Sequence, residues 1–102
     1  MSAINKNVAL FLDSKDNVAI LLDSVLKGDL IFLKGTEKSV QATQPIETGH
    51  KIALTHIEKS AAIIKYGQQI GIATTDIKPG EWIHLHNMES VYDKEFKKRI
   101  EV

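Results

Sequence analysis

The chain carries an internal repeat in which two isoleucines flank a small residue at a fixed spacing. The pattern Ile-x-x-Gly/Ser-x-x-Ile occurs three times, at residues 46–52, 57–63 and 77–83. Isoleucines on both sides of a bend can anchor both arms in a core, while glycine supplies the backbone freedom that the bend needs. Each copy therefore predicts a strand, a tight turn and a second strand, although an isoleucine-rich β-protein can also produce this spacing by chance.

The length of the chain limits it to one domain. It has 102 residues and a mass of 11.4 kDa, and a single domain usually takes about 100 to 200 residues. We therefore predict one domain over residues 1–102, with a core over about 8–88 and a C-terminal helical tail over about 89–102. A core of this size leaves little room for a deep active site built by this chain alone.

Charge and composition argue against several classes of protein. Thirteen Lys and Arg residues balance thirteen Asp and Glu residues, so the basic surface typical of nucleic-acid binding is missing. No apolar run approaches the ~18 residues of a membrane span, and five apolar residues before Asp13 are too few for a signal peptide. The chain has no cysteine for a thiolate metal site or a nucleophile. We expect a cytoplasmic protein that binds neither nucleic acid nor membrane.

Hydrophobic periodicity adds one helix and several strands to this outline. Residues 18, 21, 22 and 25 are apolar at the spacing of a buried helical stripe, which predicts a helix from about Ser14 or Asp16 to Lys27. Strands are predicted over residues 8–12, 29–33, 38–42, 61–66, 70–75 and 81–87. Apolar residues at 92, 96 and 100 indicate a second short helix. The fold class expected is mainly β with one or two short helices, in a barrel-like or clip-like arrangement.

Residues 82–87 hold two of the four histidines. In a strand, Trp82, His84 and His86 would share one face, while Ile83 and Leu85 would enter the core. Two imidazoles with Cα atoms about 7 Å apart could donate to one anion or ligate one metal. The residue types alone leave open that both histidines are exposed without a task, and no carboxylate nearby in sequence completes a metal triad.

Two further groups of polar residues lie at predicted turns. Gly49-His50-Lys51 places an imidazole and an ammonium where backbone N–H groups can join them around a carboxylate or phosphate. Lys65 and Tyr66, beside a glycine, could add another pair of donors. The alternatives are solvated residues at one turn and a half-buried tyrosine at a hairpin tip.

Five segments in a fixed order resemble one known family. They are Asp16-Asn17-Val18-Ala19, Gly49-His50-Lys51-Ile52-Ala53, Ile64-Lys65-Tyr66-Gly67, Ile70-Gly71-x-Ala73-Thr74-x-Asp76-Ile77 and Gly80-Glu81-x-Ile83-His84-x-His86-Asn87. Over about residues 8–87 they resemble the N-terminal SAF domain of altronate and galactarate dehydratases, which implies a β-clip fold. Ser60 departs from the family pattern, since a glycine is usual there, and this implies a reshaped turn.

The resemblance implies a small subunit of a sugar-acid dehydratase of the altronate type. A larger catalytic subunit would complete the site and hold most of the ligands of a divalent metal, namely iron, manganese or magnesium. The catalytic residues implied are His84 and His86. The substrate-binding residues implied are His50, Lys51, Lys65, Tyr66 and Asn87, with the two lysines suited to the carboxylate of a small sugar acid.

Other readings of the same resemblance stay open. One is the alpha subunit of a sulfolactate sulfo-lyase, in which the cationic groups would bind a sulfonate. Another is a non-catalytic SAF module with a binding or chaperone role. The sequence also leaves open whether the chain forms a homo-oligomer.

Overall fold

The structure is a computed structural model, and it describes residues 7–90 of the chain. Nine short β-strands make up the fold in this range. The strands are β1 (Asn7–Leu10), β2 (Val18–Leu21), β3 (Leu30–Leu33), β4 (Ser39–Gln41), β5 (Lys51–Ala53), β6 (Ala62–Lys65), β7 (Gln68–Ala73), β8 (Trp82–Ile83) and β9 (Met88–Ser90). Within residues 7–90 there is no helix, and so none that could cross a membrane. The mainly β prediction is confirmed, whereas the predicted short helices are not seen in this range.

The strands form two sheets. One sheet has six strands in the order β4-β3-β1-β2-β5-β8, and the other has three in the order β6-β7-β9. Every pair of neighbours is antiparallel except β1 and β3, which are parallel. The first sheet therefore ends at the two-residue strand β8, which carries one part of the candidate site.

The predicted repeat is confirmed, and the structure adds a fourth copy. All six repeat isoleucines are buried, with exposed fractions of 3% or less. The additional copy is Val25-x-x-Gly28-x-x-Ile31, whose two apolar residues are also buried. It comes first in the chain, and it escaped the sequence pattern because valine replaces isoleucine at its first position.

The four copies associate in two pairs through backbone hydrogen bonds. Val25 and Ile46 form an isolated antiparallel bridge, and Ile57 and Ile77 form the equivalent bridge in the second pair. The small residue of each copy has a left-handed backbone, with φ of 91°, 84°, 74° and 87° in chain order. Main-chain hydrogen bonds thus join the two turns of each pair, and the left-handed small residues give the turns the shape that these bonds need.

Ser60 adopts the same left-handed conformation as the glycines of the other copies. Its φ is 74°, compared with 84° at Gly49 and 87° at Gly80, and its N–H donates to the Ala73 carbonyl at 2.8 Å. The expectation of a reshaped turn at this position is therefore wrong. The serine backbone is therefore strained at this position, whereas a glycine backbone would not be.

The predicted helix over residues 14–27 is wrong, because this segment supplies strand β2 and the first repeat turn. Val18, Ala19 and Leu21 are all buried, which requires partners on both faces of the segment. Leu22, which would lie on the buried stripe of a helix, is 45% exposed. A short strand that is buried on both faces carries apolar residues on both, and here their spacing coincides with that of a helical stripe.

The other strand predictions agree with the structure to within a few residues, except at 81–87. The hairpin predicted between residues 61–66 and 70–75 is β6 and β7, joined by a turn at Tyr66 and Gly67 with φ of 55° and 77°. Residues 89–90 belong to β9 rather than to a helical tail. The remainder of that tail, with Tyr92, Phe96 and Ile100, lies outside the described residues.

Two apolar cores lie on opposite faces of β2 and β5. Core 1 contains Ala19, Leu21 and Ile52 together with the first two repeat copies. Core 2 contains Val18, Ala53 and most of the apolar residues of the last two copies. The central strands are therefore apolar on both faces, and the pleat decides which core each residue enters.

Gly80→Ala should destabilise the protein more than the same change at Gly28. A Cβ at Gly80 would collide with the carbonyl oxygen of Gln41, whereas a Cβ at Gly28 meets nothing within 4 Å. Since both positions have positive φ, the Gly28 variant should lose about 1–2 kcal/mol from backbone strain, and the Gly80 variant at least about 2 kcal/mol more. Equal losses in urea unfolding at neutral pH would contradict the close approach.

Ser60→Gly should stabilise the protein. Left-handed backbone costs a non-glycine residue about 1–2 kcal/mol, and the added flexibility of glycine in the unfolded chain returns about 0.5–1 kcal/mol of this. We expect a net gain of about 0.5–1 kcal/mol in the free energy of unfolding. Ser39→Gly, at an exposed position of β4, is the control and should lose stability; a loss at Ser60 as well would contradict the prediction.

Candidate functional site

Three of the four histidines surround the single tryptophan, and we call these residues (His50, Trp82, His84 and His86) the ring cluster. Trp82 stacks on His84, with ring centroids 5.3 Å apart and planes 11° apart. His50 approaches both rings edge-on, at 5.6 Å from Trp82 and 5.8 Å from His84. His86 lies 4.9 Å from Trp82 at a tilted angle. The indole is thus the element on which the three imidazoles are assembled.

Strand pairing explains how His50 and His84 meet. β5 and β8 are antiparallel, with Lys51 opposite Ile83 and Ile52 opposite Trp82. One further step in this register places His50 opposite His84. Because alternate residues share a face, both imidazoles lie on the same side as Trp82, as the sequence predicted for Trp82 and His84.

The predicted strand over residues 81–87 is too long, since β8 ends at Ile83 and a turn follows. This turn, rather than strand alternation, brings His86 back to Trp82. Ile83 is fully buried as expected, but Leu85, expected in the core, is 70% exposed. The grouping of Trp82, His84 and His86 was predicted correctly, but the local structure that produces it was not.

Asn87 holds this turn in place from the inside. Its Oδ1 accepts from the His84 N–H at 2.9 Å, and its Nδ2 donates to the Trp82 carbonyl at 2.9 Å. The residue is only 2% exposed, so its side chain does not reach the surface where a ligand would bind. Asn87 therefore acts on the ring cluster by fixing the backbone that carries the rings.

A cleft of about 710 Å³ opens beside the ring cluster. Its walls are formed by residues at the start of the first two repeat copies and by three members of the cluster: Ser24, Val25, Leu26, Pro45, Ile46, Glu47, His50, Trp82 and His84. The walls are mostly apolar, and polar groups are confined to a few positions. This composition is typical of small-molecule sites.

The buried indole N–H of Trp82 has no hydrogen-bond partner among the described residues. Buried donors are usually paired, so the unpaired indole N–H indicates that packing alone does not explain a tryptophan at this position. The sequence pattern predicts Trp82 only as an aromatic neighbour of the histidines. Its central position in the cluster could not be read from the spacing.

The described residues do not form a metal centre on their own. No three His, Asp or Glu side chains within residues 7–90 converge at distances suited to one metal ion. A divalent cation in a protein normally needs at least three such ligands. The ring cluster therefore does not fit a complete metal site in this chain.

Lys51 lies on the other face of β5, away from the ring cluster, and Lys65 lies on the second sheet. Lys51 shares a face with its register partners Ile20 and Ile83, and Ile83 belongs to core 2. Lys65 ends β6, and its Nζ lies 5.3 Å from the ring centroid of Tyr66. The structure thus places His50 and Lys51 on opposite faces of β5, while Lys65 and Tyr66 lie at the β6–β7 hairpin of the other sheet.

The two lysines influence each other electrostatically. Burial lowers the pKa of Lys51 below its ordinary value of 10.5, and the positive charge of Lys65 lowers it further. Both side chains are half-buried. The folded protein therefore disfavours the charged form of Lys51 relative to the same group in water.

Asp16 and Asn17 fix the hairpin that carries Lys65 and Tyr66. Asn17 accepts from the Ile64 N–H at 2.8 Å through Oδ1 and donates from Nδ2 to the Ala62 carbonyl at 2.9 Å. Asp16 accepts from the Gly67 N–H at 2.7 Å. The sequence included this pair in the family motif without a role, and the structure makes it the attachment of β6 to β2.

The buried carboxyl of Asp16 is ionised because backbone donors surround it. Burial raises its pKa, but four N–H groups together hold the pKa below the ordinary value of 3.8. The donors belong to Gly67, Leu12, Tyr66 and Asp13. This carboxylate is therefore committed to the turn and does not neutralise a lysine.

Comparison with known families places the chain in a defined group. The model of the altronate/galactarate dehydratase SAF domain matches residues 7–91. The altronate dehydratase of Bacillus subtilis (strain 168) is 41% identical over 76 residues, which cover 74% of this chain and 15% of that protein. The galactarate dehydratase (L-threo-forming) of Escherichia coli (strain K12) is 42% identical over 69 residues, 67% of this chain and 12% of that protein.

A third relative differs from these two in size. The (2R)-sulfolactate sulfo-lyase subunit alpha of Chromohalobacter salexigens is 26% identical over 83 residues, 76% of this chain and 88% of the relative. This chain thus spans about one-seventh of the dehydratases and nearly the whole of the lyase subunit.

Lys51→Met should stabilise the protein at neutral pH. Because the folded state lowers the pKa of Lys51, the unfolded chain binds more protons, and the stability of the wild type rises as pH increases through the lowered pKa towards 10.5. The methionine variant lacks this dependence, so its advantage should shrink over the same range. Thermal unfolding at pH 7, 9 and 10 measures it.

The control for this experiment is Lys27→Met, which changes an exposed lysine. Its effect on the melting temperature should be small and should not vary with pH in the same way. A Lys51→Met variant that is less stable than the wild type at pH 7 would refute the prediction.

Proposed function

Because this chain belongs to the family of altronate/galactarate dehydratase SAF domains, we propose that it supplies the small-domain part of a sugar-acid dehydratase site. The observation that carries the proposal is the ring cluster, three of whose four members line an apolar cleft of about 710 Å³. A larger catalytic chain or region would complete the site. A cytoplasmic location and a β-clip assignment, consistent with the paired repeat turns, are part of the same proposal.

The chemistry of the reaction explains the use of imidazoles. Dehydration of a 2,3-dihydroxy acid removes the proton next to the carboxylate and expels the hydroxyl from the neighbouring carbon. Negative charge develops on the resulting enediolate, and the departing hydroxyl needs a proton to leave as water. An imidazole, with an unperturbed pKa of about 6.5, can supply that proton near neutral pH.

His84 or His86 is the proposed acid, because both imidazoles are exposed at the ring cluster. His50 is half-buried and lines the cleft, so its proposed role is to bind and orient an oxygen of the substrate. Asn87 is the proposed positioning residue, since its hydrogen bonds hold the turn between Trp82 and Met88. The three roles follow from position and exposure.

The larger catalytic part must provide what residues 7–90 do not supply. The relatives named as dehydratases are about seven times longer than the matched region, so most of their residues lie outside it. A general base for the proton next to the carboxylate and the ligands of any divalent iron, manganese or magnesium are assigned to that part. The sugar acid itself, such as altronate or galactarate, is the proposed substrate.

A second candidate function rests on the size of the lyase relative. The sulfolactate sulfo-lyase subunit alpha aligns with this chain over 88% of its length, so a domain of this kind also occurs as nearly a whole subunit. The alternative proposal is that the ring cluster serves a lyase acting on a sulfonate. A non-catalytic SAF module is the third outcome that the test below separates.

His84→Ala or His86→Ala should reduce turnover of the complete enzyme. The larger catalytic part from the same genome is combined with this chain, and altronate, galactarate and sulfolactate are assayed in turn. A general acid contributes about 10²–10⁴-fold to the rate, so one of the two variants should lose at least about 100-fold in kcat. The remaining variant should change KM more than kcat.

His56→Ala is the matched control, since His56 is exposed and outside the ring cluster. It should stay within about twofold of the wild type. If both His84→Ala and His86→Ala retain kcat within a few-fold, the assignment of the acid is wrong. Association without turnover of any of the three acids would favour the non-catalytic module.

A further inference from the structure

The six-stranded sheet has a second apolar side, facing away from core 1, and only part of it is covered. Residues of β1, β2 and β3 alternate between core 1 and this side. Val8 lies opposite Phe32, and its carbonyl accepts the Leu22 N–H at 2.9 Å. Leu10 lies opposite Ile20. We call the six apolar residues that share this side the outer apolar face: Val8, Leu10, Ile20, Leu22, Leu30 and Phe32.

The second sheet covers the neighbouring part of the same side. Val18, Ala53 and Ile83 point to this side from β2, β5 and β8, and all three belong to core 2. The second sheet packs on them with residues that include Met88 of β9. Its cover stops short of β3, where Leu30 is 48% exposed. The outer apolar face is therefore the part of a two-sided sheet that the second sheet leaves open.

A groove of about 500 Å³ lies on this face. Val8, Leu22 and Phe32 supply apolar side chains to its lining, and Asp23 and Lys34 supply charged ones. Contiguous apolar surface of this kind usually marks an interaction site.

The size of the outer apolar face limits what can cover it. None of its six residues is exposed by more than half, so together they present on the order of a few hundred Å² of apolar surface. A standard protein interface buries about 800 Å² on each partner. The face is thus too small to hold a second copy of the chain by itself, and it fits a short segment.

The chain itself contains a segment with a matching apolar edge. Residues 91–102 lie outside the described residues and directly follow β9, the strand that gives Met88 to core 2. The segment therefore starts from the sheet that covers the adjacent part of the same side. As the helix predicted from sequence, it carries Tyr92, Phe96 and Ile100 on one edge and charged residues at most other positions.

The spacing of this edge matches the spacing of the strands. A helix rises about 1.5 Å per residue, so Tyr92 and Ile100 would lie about 12 Å apart along its axis. β3, β1 and β2 are neighbours in the sheet, and strands about 4.8 Å apart place β3 and β2 about 10 Å from each other. A helix that crosses the three strands can therefore put one apolar side chain on each of them.

We propose that the outer apolar face is the docking site of the chain's own residues 91–102, which pack on it as an amphipathic helix through Tyr92, Phe96 and Ile100. A helix of fewer than about 12–15 residues is marginal in water by itself, so this helix depends on the face that it covers. Docking buries the apolar edge of the segment together with the exposed leucines. The proposal does not depend on the dehydratase function.

NMR of the full chain tests the docking through side-chain contacts. We expect nuclear Overhauser effects between the Phe96 ring and the methyl groups of Leu22 or Leu30. Effects from this ring to Val25 or Ile46, which line the cleft, would place the segment beside the ring cluster and overturn the proposal. Absence of any contact from the Phe96 ring to the described residues would overturn it as well.

The same spectra distinguish the other possible occupants. Contacts between labelled and unlabelled chains in a mixed sample would assign the outer apolar face to a second copy. Contacts from Ile4 to Leu22 or Leu30 would assign it to residues 1–6. If these leucine methyls become protected from a soluble paramagnetic agent only after the larger catalytic part is added, that part is the occupant. Each of these three results contradicts docking of residues 91–102.

Leu30→Ser tests the docking from the side of the sheet. A docked helix covers the exposed half of Leu30, so the substitution should shift the equilibrium towards the undocked segment by about fivefold. Hydrogen exchange of the backbone amides of residues 96–100 should accelerate by the same factor, because exchange requires the helix to open. The substitution lies on β3, far away in sequence from the amides that report it.

Leu85→Ser is the matched control, since Leu85 is 70% exposed and lies outside the outer apolar face. It should leave the exchange of residues 96–100 unchanged. Amides in this range that exchange in the wild type as fast as in an unfolded peptide would refute the proposal. Equal exchange rates in Leu30→Ser and in the wild type would refute it too, as would equal acceleration in both serine variants.

Discussion

The left-handed turns of the repeat are the constraint on which the rest of the fold depends. In each pair of copies the small residues donate their N–H groups reciprocally, so that Gly28 bonds Ala42 while Gly49 bonds Leu21. The second pair repeats the arrangement, with Ser60 bonded to Ala73 and Gly80 to Ala53. Strands of two to six residues would pair weakly by themselves. Reciprocal turns hold their ends together and place the flanking apolar residues in the two cores.

This dependence explains which parts of the fold could be predicted from sequence. The spacing of Ile57, Ser60 and Ile63 records a local requirement, so the turn could be read without knowing its partner. The fourth copy could have been found by allowing valine at Val25, but the helical spacing of residues 18–25 competed with it. Burial on both faces distinguishes a strand from a helix over these residues. Both faces of the strand are buried only when β5 and the second sheet pack against it.

The same reasoning applies to the candidate site. The meeting of Trp82 and His84 followed from strand alternation and was predictable. The return of His86 depends on Asn87, whose hydrogen bonds to the backbone of His84 and Trp82 create a turn inside an expected strand. The separation of His50 from Lys51 is a consequence of the pleat, because adjacent residues of one strand enter opposite faces. Motif order gave no information on this separation.

The exposure of the imidazoles limits what the domain can do by itself. Charge that develops on an enediolate is stabilised best by fixed dipoles in a site from which water is excluded. His84 and His86 are open to water in this chain, and the described residues lack the ligands of a metal centre. The rings are nevertheless held rigidly by stacking and by the buried Asn87. An acid that is fixed in position but exposed to water needs a covering surface, and that requirement is the physical reason to assign the proposed catalysis to an assembled enzyme.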